Sequence, residues 1–254
     1  MTATYSPSEL LICLSSRLME DGATAFIGTG IPMLAASLAQ RRHAPNLIPV
    51  FEFGGTGAQI DKLPLAVGDM RTFHRAVAAS GICDIMESAQ RGFIEYGFLG
   101  GAQIDAFGNL NTTHIGPREN VKVRLPGSGG GNDVGSLCWR TIAIVRHDKR
   151  RFVPSVDFVT TPGYLTGPGA REAAGLPADT GPHRVVTNLC VMDYPEATRR
   201  MRVIALNPGV TIDEVRANTG FDIDVAETLA SNDGPSDEEL RILREVVDPD
   251  GLYR

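Results

Sequence analysis

The sequence predicts an α/β fold, an open and mostly parallel sheet flanked by helices. Short apolar runs with strand character alternate with longer segments whose apolar residues recur at helical spacing. Glycine clusters follow several of the strand-like runs, where strands turn into helices. No repeat or low-complexity tract breaks the pattern, so the chain reads as a single domain over residues 1–254.

The elements follow in order. "SPSELLICLSSRLMEDG" opens as a helix, with Ser6 at the N-cap, Pro7 in the first turn, Glu9 completing a capping box and Gly22 as the stop. "ATAFIGTGIP" is a short strand running into a glycine turn, "PMLAASLAQRR" a helix and "LIPVFE" the next strand. "FHRAVAASGICDIMESAQRG" reads as helical pieces around Gly81. "FIEYGFLGG", "RTIAIVRH" and "RVVTNLCVMDY" read as strands, and "TTPGYLTGPGAREAAGLPADTGP" as a long loop. "TIDEVRAN" and "SDEELRILREVVD" each begin with a capping box, Thr211 with Glu214 and Ser236 with Glu239.

Composition narrows the function. With 43% hydrophobic and 21% charged residues the chain is of ordinary globular type, and its net charge of −6 argues against nucleic acid as a partner. No apolar run approaches a membrane span, and the N-terminus lacks the basic-then-apolar order of a signal peptide, which predicts a cytoplasmic protein. The cysteines Cys13, Cys83, Cys138 and Cys190 form no C-x-x-C pair, and the histidines show no ligand spacing, so no metal site is expected. Cys138 and Trp139 read as core.

In "LIPVFEFGGTGAQID" an apolar strand ends on Glu52, followed by Gly54, Gly55 and Gly57. A strand-end glutamate ordinarily caps a turn or pairs with an arginine; the glycines around this one raise the alternative of a ligand site. Further clusters follow other strands: "GTG" at 28–30, "GG" at 100–101 and "GSGGG" at 127–131. Glycine lets backbone N–H groups approach a ligand, and ligands of open α/β sheets gather at the carboxyl ends of strands. Nucleotide loops are excluded in detail: Met33 stands where the dinucleotide fingerprint needs its third glycine, and no cluster ends in Lys then Ser or Thr. No G-x-S-x-G elbow occurs either.

A longer constellation, "RGFIEYGFLGGAQIDAFGNLNTTHIG" followed by "VKVRLPGSGGGNDV", resembles the β subunits of class I coenzyme A transferases, nearest the glutaconate CoA-transferase type. The resemblance runs from "FEFG" through "KRRFVPSVDFVTT" to "LNPGVTIDEV". It implies that Glu52 is the nucleophile and Gly54 the motif glycine. Oxyanion and CoA-facing backbone would come from Gly129, Gly130 and Gly131, with Gly100, Gly101 and Gln103 lining the same cleft. Phe53 departs from the small or polar residue usual in the family. The resemblance further implies an α subunit as partner, acyl-CoA and a small carboxylic acid as substrates, and coenzyme A as a substrate moiety with no permanently bound cofactor. An acyl-CoA hydrolase on the same fold, including the ring-opening kind, and a non-catalytic acyl-CoA-binding subunit are the competing readings.

Asn111 and His114 in "GNLNTTH" could face the cleft or serve a loop that hydrogen-bonds to itself. "HDKRR", His147 to Arg151, could attract CoA phosphates or form a solvated turn.

Overall fold

The computed structural model describes residues 4–254, which group into two compact units: residues 4–98 with 234–254, and residues 99–233.

In the first unit, helix α1 (Pro7–Ser16) starts as expected. Ser6 Oγ accepts from the Glu9 N–H, and the Glu9 carboxylate accepts from the Ser6 N–H at 2.7 Å. The helix stops at Ser16 and not at Gly22, because the backbone tightens into i→i+3 turns, Leu18 to Ser15 and Met19 to Ser16. All of Glu9–Ser16 is buried, which fits a helix apolar on every side. Strand β1 (Thr24–Phe26), helix α2 (Ile31–Arg42) and strand β2 (Ile48–Val50) form a parallel crossover with Phe26 opposite Val50.

Beyond β2 the chain doubles back into antiparallel β3 (Gly55–Thr56) and β4 (Ala78–Ala79), with a 3₁₀ turn (Met70–Phe73) between them. The helix expected before Gly81 is therefore absent: this segment pairs with β3, a long-range contact that local spacing does not reveal. The helical expectation holds after Gly81, in α3 (Ile82–Gln90). Parallel β5 (Tyr96–Leu99) flanks β1 on its other side, giving the order β5-β1-β2-β3-β4, with β4 at the edge. A C-terminal helix (Asp237–Ile242), capped by Ser236 and Glu239, packs on α2.

The second unit opens with two small antiparallel ribbons, β6 (Gln103–Ile104) with β7 (Leu110–Asn111) and β8 (His114–Ile115) with β9 (Val123–Arg124). Then come α4 (Gly131–Leu137), β10 (Arg140–Ile144), α5 (Ala170–Ala173), β11 (Pro182–Val186), β12 (Cys190–Asp193), β13 (Arg202–Leu206), α6 (Ile212–Ala217) and β14 (Asp224–Ser231). These strands lie in the order β10-β11-β12-β13-β14, parallel at β10–β11 and β13–β14 and antiparallel between. "RVVTNLCVMDY" is thus a hairpin, not one strand: Thr187 Oγ1 accepts from the N–H of both Leu189 and Cys190 and turns the chain. Phe152, Met192 and Val203 centre the core of this unit.

The α/β class and helix-flanked parallel strands expected from the sequence are present, with antiparallel strands making the sheet mixed. Thr211 Oγ1 accepts from the Glu214 N–H and caps α6, but the expected box is only half formed, with no return bond from the Glu214 carboxylate to the Thr211 N–H among the described residues. Cys13, Cys138 and Cys190 are buried and Cys83 is exposed. Trp139 is not core: it is 41% exposed beside the buried Cys138.

Candidate functional site

Glu52 lies two residues beyond β2, at the second position of a hairpin turn and not on the strand itself. The Gly54 N–H donates to the Phe51 carbonyl at 2.9 Å, and the Phe51 N–H donates to the Gly55 carbonyl at 2.8 Å. The turn stands at the carboxyl ends of parallel β1 and β2, where the Ile27 N–H donates to the Val50 carbonyl at 2.9 Å. Phe51 behind it is 1% exposed, while Phe53 ahead of it is 47% exposed. A Cβ added to Gly68 would meet the Phe53 ring at 3.6 Å, so the ring lies over that glycine.

The Glu52 side chain is partly exposed, and among the described residues its carboxylate enters no hydrogen bond or ion pair. It neither caps the turn nor meets an arginine. The neighbouring glycines have a packing cause. Gly54 has φ +119°, and a Cβ there would sit 2.0 Å from the Ser80 carbonyl oxygen. One on Gly55 would sit 2.1 Å from the Thr72 carbonyl oxygen. Backbone therefore presses against backbone behind the turn, and only glycine permits it.

In the second unit the "GSGGG" loop is anchored at both ends. Gly127 and Thr112 bond reciprocally, the Gly127 N–H to the Thr112 carbonyl at 2.8 Å and the Thr112 hydroxyl to the Gly127 carbonyl at 2.7 Å. On the far side the Gly131 N–H donates to the Ser128 carbonyl at 2.9 Å, and Asn132 Nδ2 donates to the Thr160 carbonyl at 2.9 Å. Gly131 thus has its donor committed. Between the anchors, the N–H groups of Gly129 and Gly130 have no acceptor among the described residues. Gly129 takes φ +50°, and a Cβ there would meet nothing within 4 Å.

Sequence reasoning missed the residue beneath this loop. Arg171, on α5, is 1% exposed. Its Nη1 donates to the Pro162 and Gly163 carbonyls at 3.1 and 2.8 Å. Its Nη2 donates to the Gly135 and Ser136 carbonyls, at the end of α4, and to Thr180 Oγ1 at 2.9 Å. Burial lowers its pKa, and carbonyl dipoles take the place of a carboxylate. A Cβ on Gly135 would come within 2.1 Å of Thr161 Cγ2, so α4 is pressed against the 160–163 segment that Arg171 holds. The only signal in the sequence is an arginine inside a Pro/Gly-rich loop.

Gly100 is exposed, and a Cβ on it would meet only the Ile144 carbonyl, at 3.9 Å. Gly101 is confined by Leu110 and the Gln103 carbonyl, each 3.1 Å from a Cβ built there. The Gln103 side chain is 5% exposed and fully engaged: Oε1 accepts from Asn111 Nδ2 and the Asp157 N–H, and Nε2 donates to Asp157 Oδ2. Asn111 and His114 serve a loop that bonds to itself, since Asn111 Oδ1 accepts from the Thr113 N–H and its Nδ2 donates to the His114 carbonyl. The "HDKRR" segment is divided. His147 is buried, stacked on Phe152 at 3.8 Å and bracketed by Thr187 and Thr219, with burial pulling its pKa down to about 4. Arg150 is solvated.

Among the described residues no cluster of three or more His, Cys, Asp or Glu could hold a metal, and no helix is long and apolar enough to cross a membrane.

The family model of coenzyme A transferase matches residues 12–218. The B subunit of glutaconate CoA-transferase from Acidaminococcus fermentans is 36% identical over 251 residues, covering 96% of this chain and 93% of that one. The B subunit of 3-oxoadipate CoA-transferase from Pseudomonas knackmussii is 36% identical over 243 residues, covering 95% and 93%. The crystal structure of the Acidaminococcus fermentans glutaconate coenzyme A-transferase superposes with a TM-score of 0.94 at 33% identity, covering 100% of this chain and 98% of that one. With most of its length matched by the family model and by relatives of this identity, the chain belongs to the coenzyme A transferase family.

Proposed function

We propose that this chain is the B-type subunit of a cytoplasmic two-subunit CoA-transferase, active with an A-type partner, that moves coenzyme A from an acyl-CoA to a small carboxylic acid through Glu52. One observation carries the reading: among the described residues the Glu52 carboxylate has no partner, and it stands on a turn whose backbone is fixed by Gly54 and Gly55. A carboxylate that serves the fold as a cap or in an ion pair has a protein donor, and Glu52 has neither role among the described residues. A held carboxylate with free lone pairs is fit to attack.

Glu52 adds to the thioester carbonyl, the thiolate of CoA leaves, and an acyl-glutamyl anhydride forms. The thiolate then attacks the glutamyl carbonyl, expels the first acid as its carboxylate and leaves a glutamyl-CoA thioester. The acceptor carboxylate attacks that thioester and releases the thiolate. Attack of the thiolate on the acceptor's acyl carbonyl then returns Glu52 and yields the new acyl-CoA. Each tetrahedral intermediate places charge on oxygen and needs N–H donors; the N–H groups of Gly129 and Gly130, which have no acceptor among the described residues, are this chain's candidates for that role. Removing one such donor typically costs about 3 to 4 kcal/mol of barrier. Thioester energy carries over from donor to acceptor, so positioning and charge stabilisation suffice. Gly100 and Gly101 line the coenzyme's path, Gln103 and Gly131 shape it, and Phe53, exposed beside the nucleophile, shapes the acyl side.

The test is intact-mass analysis of the two-subunit complex incubated with a panel of acyl-CoAs and no acceptor acid. A CoA adduct mapped to Glu52 supports the transferase. Steady release of acid and CoA without an adduct makes the protein a hydrolase, and tight binding without reaction makes it an acyl-CoA-binding subunit.

A further inference from the structure

We infer that Thr160 is a positioning residue: it holds both ends of the glycine loop and so sets where the N–H groups of Gly129 and Gly130 point. That these donors meet a charged intermediate rests on the CoA-transferase reading.

The loop joins the rest of the second unit at two places, and both lead to this residue. At the entry, Gly127 is held by the carbonyl and hydroxyl of Thr112, and the Thr112 N–H donates to Thr160 Oγ1 at 2.9 Å. At the exit, Asn132 Nδ2 donates to the Thr160 carbonyl at 2.9 Å, while the Asn132 N–H donates back to Ser128 Oγ at 3.1 Å. Residues 127–132 thus begin and end on Thr160.

Thr160 is itself fixed. It is 4% exposed, its N–H donates to the Leu110 carbonyl at 2.9 Å, and Thr161 after it pairs antiparallel with Leu110. Its hydroxyl also lies 2.7 Å from Thr113 Oγ1 and 3.4 Å from Asn111 Oδ1, so it has an outlet for its proton while accepting from Thr112.

The run between the anchors depends on them. Gly127 takes φ +101° and Gly129 φ +50°, and a Cβ on either would meet nothing within 4 Å. Packing therefore does not hold these residues, and glycine has the widest backbone freedom. The direction of the two N–H groups is left to the ends of the loop. Donors lower a barrier only when they are already aimed at the developing charge. Thr219 shows the contrast within the same unit: its hydroxyl is spent on the Val215 carbonyl and His147 and touches no loop.

The test uses the full chain in complex with its A-type partner and an acyl-CoA that the complex turns over. Thr160→Val removes the hydroxyl at nearly equal volume, Thr160→Ser keeps it, and Thr219→Val removes a buried hydroxyl away from the loop. Expected in Thr160→Val is a kcat about tenfold to a hundredfold lower with KM within about twofold, because the donors remain but are no longer held in place. Thr160→Ser should retain most of kcat, and Thr219→Val all of it, at a temperature well below every variant's melt. Hydrogen exchange at Gly127 and Gly131, whose N–H groups close the two ends of the loop, should quicken in Thr160→Val alone. Unchanged kcat in Thr160→Val, an equal loss in Thr160→Ser or Thr219→Val, or unchanged exchange at both glycines overturns the assignment. Where Thr160→Val does not fold, Asn132→Ala opens the exit from an exposed residue: lower kcat at unchanged KM upholds the assignment, and unchanged kcat overturns it. If wild type turns over no thioester, quickened exchange upholds the hold on the loop and removes the transferase reading, whereas unchanged exchange overturns the hold as well.

Discussion

Arg17 and Glu239, 222 positions apart in the chain, are joined by two hydrogen bonds, Nε to Oε1 at 2.9 Å and Nη2 to Oε2 at 2.7 Å. A mirrored pair stands beside them: Arg244 donates from Nε and Nη2 to the Glu9 carboxylate. Glu9 and Glu239 are the capping-box glutamates of their own helices, so each closes one helix N-terminus while being held by an arginine from the other end of the sequence. The start and end of the first unit are tied together through two caps.

The Glu239 pair makes stability acid-sensitive. Burial alone would raise the Glu239 carboxyl, yet hydrogen bonds from Arg17 and Ser236 outweigh it and hold the pKa at about 2, below its ordinary 4.5. The stabilisation is therefore fully present above about pH 4.5 and is lost as pH falls toward 2. Glu239 also accepts from Arg42 Nη1 at 3.1 Å, so Glu239→Gln takes the charged partner from both Arg17 and Arg42 and should cost about 3 kcal/mol at neutral pH. Urea unfolding at neutral pH and at about pH 3 checks this: the gap between variant and wild type should narrow in acid.

Glu52 separates activity from stability. Because its carboxylate has no partner among the described residues, Glu52→Ala should leave the unfolding free energy within about 0.5 kcal/mol of wild type. On the proposal that Glu52 is the covalent nucleophile, turnover should fall by about a thousandfold or more. Thermal melts and steady-state kinetics on one preparation decide it, and a destabilised but active variant would contradict the assignment.

Gly54→Ala should reverse that pattern. The added methyl meets the Ser80 carbonyl oxygen at 2.0 Å, and alanine does not readily take φ +119°. A loss of about 2 kcal/mol or more is expected, with displacement of the Glu52 turn. Melting temperature and the yield of Glu52 adduct should fall together.

Arg171 has no adequate substitute. Arg171→Lys keeps the charge but cannot reach the α4 carbonyls and those of Pro162 and Gly163 at once. Arg171→Met should cost about 3 kcal/mol or more by leaving several buried carbonyls unsatisfied, and the lysine variant somewhat less. Hydrogen exchange at Val134 and Cys138, whose N–H groups close α4, should quicken in both.

Legibility follows sequence distance. The capping boxes at Ser6 and Ser236 are readable because every partner lies within three residues. The parallel crossover through α2 is readable from apolar spacing. The edge strand Ala78–Ala79 is not, since it exists by pairing with Gly55 and Thr56. Gly54 and Gly55 suggest a ligand when read in the sequence, yet the structure gives them a packing cause in Ser80 and Thr72, contacts that no local pattern encodes. Glu52 stands out by its company, while Arg171, whose partners are carbonyls on distant segments, shows in the sequence only as an arginine inside a Pro/Gly-rich loop.

Cys83 gives the native chain its own reporter position. Burial pushes the thiols of Cys13, Cys138 and Cys190 up to about 12, where they resist alkylation, whereas Cys83 faces solvent. A maleimide dye under mild conditions therefore attaches at one place without engineered cysteines. That place is three residues from Ser80, whose N–H grips the Gly54 carbonyl behind the Glu52 turn. Fluorescence from an unmutated protein can thus follow that turn as candidate ligands are added and removed.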